Sequence, residues 1–387
     1  MTSFSRSSAP EAALVAALFA AAFCGCGPSD GREELAEGRA AYEVRNLEKA
    51  AKLFAESVAC APDSVDAVLY LARTKLDLGE LAEAQKLAAR ARELSDDVDV
   101  RLFGAQVAFH AKDYAAAAKE FQAVADDARQ TAELRAQAWS GVGVVEMACE
   151  HSHLARIAFL RALRLNFKDA SARYHLGLLY RDGFSYYEAA LEQLQVYSRL
   201  DEEASPRVQK VKRSMIPALQ RQLSVEAATR PGASKRDSSA ASAAIARAAA
   251  AEKAGKNDTA RNEYAAALKA DPLSAPAALG LAKCWAKTAP SKKKGGVADP
   301  QTRALDYYQL ACALQPSKVA TFLTAGKLAA NLNQTARAVE IYSRAVAASP
   351  TSAEAIDGLI RALRRQGKSK TAQAYQGYRD FLASARR

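Results

Sequence analysis

The sequence predicts an all-α solenoid: helix–turn–helix repeats stacked in two arrays, which a helix and a linker join. Three observations carry this. In residues 317–350 the apolar positions step at three and four (Phe322, Leu323 and Leu328, then Val339, Tyr342 and Val346), the period of two amphipathic helices and not of strands. Small residues fall where the helices of a hairpin must cross closest, Gly326 in the first helix and Ala338 and Ala345 in the second, with large residues beside them to fill the gap. The pattern also recurs. Pro316 and Pro350 stand 34 residues apart. Pro62 and Pro272 close two further units, in which Ala50 and Phe54, or Ala260, Tyr264 and Ala267, take the matching places.

The unit length, the small-residue positions, the aromatic Tyr342 and the closing Pro350 resemble the tetratricopeptide repeat (TPR). The resemblance implies a non-catalytic scaffold that holds other proteins or peptides on its concave faces. Some members of that family grip the C-terminal carboxylate of heat-shock chaperones through a clamp of Lys, Asn and Arg. Here Leu323 and Gly358 stand where Lys and Asn would be needed, so that partner class is not expected.

Residues 1–25 are expected to lie outside the fold. Arg6 gives a positive start, and Ala12 to Phe23 is an apolar run the length of a signal-peptide core, too short to span a bilayer. It ends in Cys24-Gly25-Cys26, which is similar to a bacterial lipoprotein signal, where a cysteine after a small residue is acylated and becomes the new N-terminus. Cys26 follows Gly25 and fits that form; Cys24 follows Phe23 and is the alternative, and a plain secretory signal is the competing reading. The resemblance implies palmitate-type acyl chains on Cys26 and a membrane-anchored chain facing the periplasm, with the outer membrane favoured.

Array one is expected over residues 31–200, as about five repeats. Gly38, Leu47, Ala50 and Phe54 mark the first, Leu71, Gly79, Ala84 and Ala91 the second, and Gly104, Tyr114, Ala117 and Phe121 the third. Trp139, Ala155, Phe159 and Ala162 mark the fourth, and Leu176, Gly177, Tyr186 and Ala190 the fifth, whose turn, Asp182-Gly183-Phe184-Ser185, is a residue longer than standard. Residues 201–241 break the period. Val208, Val211, Met215, Leu219 and Leu223 form one apolar stripe, Lys210, Arg213 and Arg221 lie elsewhere on the helix, and Pro217 is expected to kink it. Two readings of this segment stand: a cap on the open end of a solenoid, which is favoured, or a basic amphipathic helix on anionic lipid. The stretch from Arg230 to Ala241 has a linker's composition. Array two follows over 242–387, as about four repeats with an insertion at 288–302 that carries Lys292, Lys293 and Lys294. Tyr375, Tyr378 and Phe381 are expected to close the stack.

The net charge of +11 hides a division: residues 1–205 carry −8 and residues 206–387 carry +19. The basic half favours an anionic ligand. Nucleic acid is not expected, because the signal directs the chain out of the cytoplasm and no stacking aromatics interleave the lysines. No nucleophile elbow, zinc-binding His-Glu pair or dinucleotide glycine run occurs, and no cofactor is implied. His151 and His153 alternate in the fourth repeat's turn without a completing ligand set, and surface histidines are the expected reading, with no metal. Cys284 and Cys312 fall within a single repeat, one on each helix, where buried thiols are favoured over a disulfide.

Stacked hairpins curve, and the first helix of each lines the concave side. Groove candidates are therefore Tyr70 and Arg73, Val144 and Met147, Tyr174 and Arg181, then Lys327, Arg361, Arg364 and Arg365. The favoured function is an envelope lipoprotein that holds proteins together. The alternatives are a dedicated assembly factor, such as a pilus or secretin pilotin or an outer-membrane insertion subunit, and a glycan-binding or enzyme-accessory subunit that uses the basic half.

Overall fold

The computed structural model describes residues 30–200, 205–288 and 299–384. Cys24, Cys26, the three lysines of the insertion (Lys292, Lys293 and Lys294) and the terminal Arg386 and Arg387 lie outside them. No strand occurs among the described residues; the fold is an all-α solenoid of helical hairpins. The chain divides into two compact units, Met1–Val145 and Glu146–Arg387.

The first unit holds α1 (Arg32–Glu43), α2 (Leu47–Cys60), α3 (Val65–Asp77), α4 (Leu81–Leu94), α5 (Val98–His110), α6 (Tyr114–Asp126) and most of α7 (Ala132–Ala148). The second continues with α8 (Ser152–Leu165), α9 (Ala170–Leu178), a π-helical turn (Leu179–Gly183) and α10 (Tyr187–Leu200). Next come α11 (Pro206–Lys210), a second π-turn (Val211–Met215) and α12 (Ile216–Ala228). The last hairpins are built from α13 (Ser238–Lys253), α14 (Asn257–Ala270), α15 (Ala275–Lys287), α16 (Pro300–Leu314), α17 (Val319–Asn331), α18 (Thr335–Ala348), α19 (Ala353–Arg365) and α20 (Ser369–Ser384).

Three local devices define the hairpins. At entry, the side chains of Asn46, Ser64, Asp113, Asp169, Ser274 and Ser352 each accept a hydrogen bond from a backbone N–H three residues on, which satisfies a donor the helix cannot. Within eight hairpin turns of the described residues a single left-handed residue reverses the chain: Gly79, Gly255 and Gly367, but also Arg45, Lys112, Glu150, Ser185 and Asn333. At exit, Ala61, Asp271, Gln315 and Ser349 are extended, with φ of −130°, −133°, −141° and −147°. Each precedes a proline, whose ring clashes with a helical residue before it, so the helix must stop there.

Between helices, the small residues are cut to receive rings. A Cβ added at Gly358 would lie 2.3 Å from Tyr342, and one at Gly326 would lie 2.6 Å from the same ring. One aromatic on a second helix thus wedges between the first helix of its own hairpin and that of the next. Gly280 against Tyr264, Gly141 against Phe121 and Gly38 against Phe54 repeat the contact. Gly104 departs from it, since a Cβ there would meet nothing within 4 Å.

Two irregular turns shape the second unit. The long turn of the fifth repeat is absorbed as the first π-turn, in which Phe184 N–H donates to the Leu179 carbonyl and Ser185 takes a φ of 54°. The second π-turn accommodates Pro217. Ile216 N–H donates back five residues to Val211, and Pro217, which has no N–H, falls in the first turn of α12. Val208, Val211, Met215 and Leu219 are buried, and α12 packs on α10, so protein covers the apolar stripe of this segment.

The second unit closes on itself through α8. The Arg156 side chain is fully buried there. Its Nε donates to Tyr375 Oη (2.8 Å), Nη1 donates to the Ser343 carbonyl (3.0 Å) and to Ser343 Oγ (2.9 Å), and Nη2 also bonds Tyr375 Oη. The guanidinium lies 4.6 Å from the Phe184 ring centroid. No carboxylate is among its hydrogen-bond partners in the described residues; a buried cation is held by hydroxyls, one carbonyl and π faces. This single side chain ties α8 to α18 and α20. Tyr375 and Tyr378 are accordingly buried against α8 and do more than end a stack, and Phe381 lies 5.6 Å from the Arg161 guanidinium.

Candidate functional site

Two clusters of candidate groove residues lie on the first helices of successive hairpins, one in each unit. In the first unit Tyr70, on α3, stacks on Phe54 with centroids 5.3 Å apart and meets the edge of Tyr42 at 6.4 Å. The Arg39 guanidinium sits 4.6 Å from the Tyr70 ring, and Arg73 lies 5.8 Å from both Tyr70 and Phe103. The result is an alternating arginine–aromatic ladder across α1, α3 and α5. Tyr42 Oη donates to Asp77 (2.8 Å), and burial together with that carboxylate pushes its pKa up to about 12. Arg39, Tyr42 and Phe103 belong to the ladder but carry no sequence signal beyond their helix register.

In the second unit Lys327, Arg361 and Arg365 come together around a cavity of about 280 Å³ between α17 and α19. Tyr342 and Gly358 form its floor, the same ring-on-glycine contact that nests the hairpins. Lys327 Nζ is paired with Glu354 at 2.5 Å, and this partner raises its pKa. Arg365 Nη1 donates to the Ala330 carbonyl (3.1 Å), which braces α19 against α17. The cavity offers cations at its rim and an aromatic floor, a surface suited to an extended peptide bearing carboxylates.

The other candidates are dispersed. Arg364 is exposed and lies outside this cavity. Tyr174 is half-buried against Tyr197 and carries the Arg207 guanidinium 5.1 Å from its ring, so α11 shields it. Arg181 sits in the first π-turn and bonds both oxygens of Asp182 at 2.6 Å. Val144 and Met147 are half-buried on α7.

The remaining polar groups have structural roles. His151 is exposed and pairs with Glu146 at 2.8 Å. His153 departs from the surface reading: its Nδ1 lies 3.1 Å from Tyr375 Oη and 3.4 Å from Arg156 Nη2. Arginine can only donate, and Tyr375 Oη already accepts from it, so the tyrosine proton points at Nδ1 and the imidazole must be neutral there. Burial, then the charges of Arg156 and Lys368, hold the His153 pKa down to about 3. Cys284 and Cys312 are free, buried thiols, and burial pushes the Cys312 pKa up to about 12. No group of three or more His, Cys, Asp or Glu that could hold a metal ion occurs among the described residues. No described helix is long and apolar enough to cross a membrane.

A tetratricopeptide-repeat family model matches residues 35–97, 71–133 and 245–289. These segments are tetratricopeptide repeats. Together they span less than half of the chain, and they fall on hairpins of both units. No curated protein matches the chain. Among solved structures, PilF of Pseudomonas aeruginosa is 15% identical over 67% of this chain and 98% of its own, with a TM-score of 0.39. MamA of Desulfovibrio magneticus is 15% identical over 46% of this chain and 99% of its own, with a TM-score of 0.37. The C-terminal part of a TPR repeat-containing protein of Cytophaga hutchinsonii is 15% identical over 84% and 99%, with a TM-score of 0.32. These TM-scores are low, and nothing about role follows from them.

Proposed function

We propose that this chain is a non-catalytic protein–protein interaction scaffold, held to the bacterial cell envelope by acyl chains on Cys26 and facing the periplasm. The observation that carries the binding role is the convergence of Lys327, Arg361 and Arg365 on one concave cavity floored by Tyr342. The three cations stand on two packed helices; Arg365 is held by the Ala330 carbonyl, and a carboxylate-bearing peptide would compete with Glu354 for Lys327. The arginine–aromatic ladder around Tyr70 and Arg73 offers a second, less charged strip for the same kind of partner. Support for the anchor is the Cys24-Gly25-Cys26 sequence that ends an apolar run.

Site-specific photocrosslinking tests the groove. A crosslinker at Arg361 should capture a protein partner in envelope extracts, and one at exposed Ala266 on α14 should not. Charge reversal of Lys327 and Arg365 should abolish the capture; equal capture from both positions would remove the groove from the account. Incorporation of labelled palmitate into wild type but not into Cys26→Ser tests the anchor separately.

A further inference from the structure

The segment 206–236 carries eight Lys and Arg residues against one carboxylate, Glu226. Counting Asp201, Glu202 and Glu203 just upstream, the cations still outnumber the carboxylates two to one. The structure separates the two faces of this segment. Val208, Val211, Met215 and Leu219 point into the protein and are buried. Lys210, Arg213 and Arg221 lie on the opposite face, at steps of three and eight, and are exposed; Arg207, also exposed, rests its guanidinium 5.1 Å from the Tyr174 ring. None of the four has an ion-pair partner among the described residues, whereas most basic residues of α17–α19 with a role in packing are paired or bonded to backbone. Between these cations the exposed positions are Ser214, Ala218 and Gln220; beyond Arg221 come Gln222, Ser224 and one exposed aliphatic side chain, Val225.

We propose that this outward face of α11–α12 lies on the anionic headgroups of a phospholipid surface. The inference rests on the reading of the chain as membrane-anchored and adds the face it turns to that membrane. The burial pattern excludes the amphipathic mode, in which apolar residues enter the acyl layer, because protein already covers them. What remains is a row of long exposed cations with a single exposed aliphatic side chain, Val225, at its end. Such a row gives a folded protein partner little to bind, since protein hot spots need desolvated aromatic or aliphatic cores. A plane of phosphate charges asks only for charge of opposite sign within a screening length, and each added Lys or Arg strengthens such binding about fivefold.

The test compares the full chain with the variant Lys210→Gln/Arg213→Gln/Arg221→Gln, which retains the same N-terminus and therefore the same anchor. Cosedimentation would use vesicles of phosphatidylcholine alone and vesicles containing phosphatidylglycerol. The wild type should bind phosphatidylglycerol vesicles on the order of a hundredfold more tightly than the variant. That difference should vanish on phosphatidylcholine, and also in about 1 M salt, where the screening length falls to about 3 Å. Circular dichroism should show equal helicity, since the three side chains are exposed. Equal binding of wild type and variant to phosphatidylglycerol would overturn the proposal. So would retention of the difference on neutral vesicles, or a variant that loses an acidic polypeptide ligand while its vesicle binding is unchanged. Failure of groove crosslinking would count against the scaffold reading, and failure of palmitate labelling against the anchor on which this inference rests; the vesicle comparison reads the basic face separately from both.

Discussion

Helices α4 and α8 occupy the same place in their hairpins, yet they are buried differently. On α4, in the first unit, only Ala84, Ala88 and Ala91 are buried, a single stripe at steps of four and three. On α8, in the second unit, burial runs continuously from Ala155 through Leu160 and resumes at Ala162. Helix α18 is buried in the same all-round way, from Ala338 and Val339 to Ala347. A helix with one buried stripe belongs to an open row of hairpins and shows its other face to water. A helix buried all round has a second layer upon it, and here that layer is the end of the same unit returning onto α8. Repeat number therefore does not by itself set the architecture; the composition of a helix's outer face does.

Removing the tie between the layers should have the largest effect. Arg156→Ala would leave Tyr375 Oη and Ser343 Oγ without their donor and open a cavity, at a cost of about 3–5 kcal/mol to the second unit. Arg156→Met also removes the desolvated charge but fills most of the space that alanine leaves, and should cost only about 1–2 kcal/mol. Urea titrations read both values, and a second-unit transition that Arg156→Ala leaves unmoved would contradict the role given to this side chain.

Acid should act on the same layer. The unfolded imidazole of His153 titrates near its ordinary 6.5 and the folded one at about 3, so the stabilisation is present above pH 6.5 and is lost as pH falls toward 3. At pH 5 the wild type should have lost about 2 kcal/mol relative to His153→Gln, from the separation of the two pKa values. Parallel stability profiles for the two proteins between pH 7 and 4 would remove His153 from this role.

Two glycines sharpen the comparison by moving stability in opposite directions. Gly358→Ala would press a methyl group on Tyr342, which Gly326 already confines from the other side, and should cost about 1–3 kcal/mol. Gly104→Ala meets open space in the interior of α5 and should stabilise by about 0.5–1 kcal/mol through helix propensity. Ala338→Leu should behave like the first, at about 1–3 kcal/mol, since Ala338 is buried at the same crossing. The smallest signal is chemical. Half-buried Cys149 should react with a thiol reagent in the native protein, whereas Cys284 and Cys312 should react only on unfolding.

Most of the hairpin pattern was legible because its determinants are local. Pro62, Pro272, Pro316 and Pro350 act on the residue before them, and Gly326 and Gly358 sit at fixed spacing from Tyr342. The turns were half legible: Gly79, Gly255 and Gly367 announce a left-handed residue, whereas Arg45, Lys112 and Glu150 adopt one because the packed hairpin imposes it. The closure is not legible in this way, since Arg156 finds Tyr375 and Ser343 across about two hundred residues and no local pattern encodes that meeting. A signal was present all the same: Leu154 to Leu160 lacks the polar outer face of an open repeat, with one arginine set among apolar residues. Of the groove candidates, Lys327, Arg361 and Arg365 share a face that helical spacing can show, while the shielding of Tyr174 depends on Arg207 from a segment outside the repeats.

Native-state hydrogen exchange on wild type and Arg156→Ala tests the closure most directly. In the wild type the backbone amides of α8 and α20 should exchange together, at the slowest rates of the second unit. In the variant both should lose protection while α1–α6 keep theirs. A terminal α20 that already exchanges fast in the wild type, or that is indifferent to the loss of Arg156, would contradict the account.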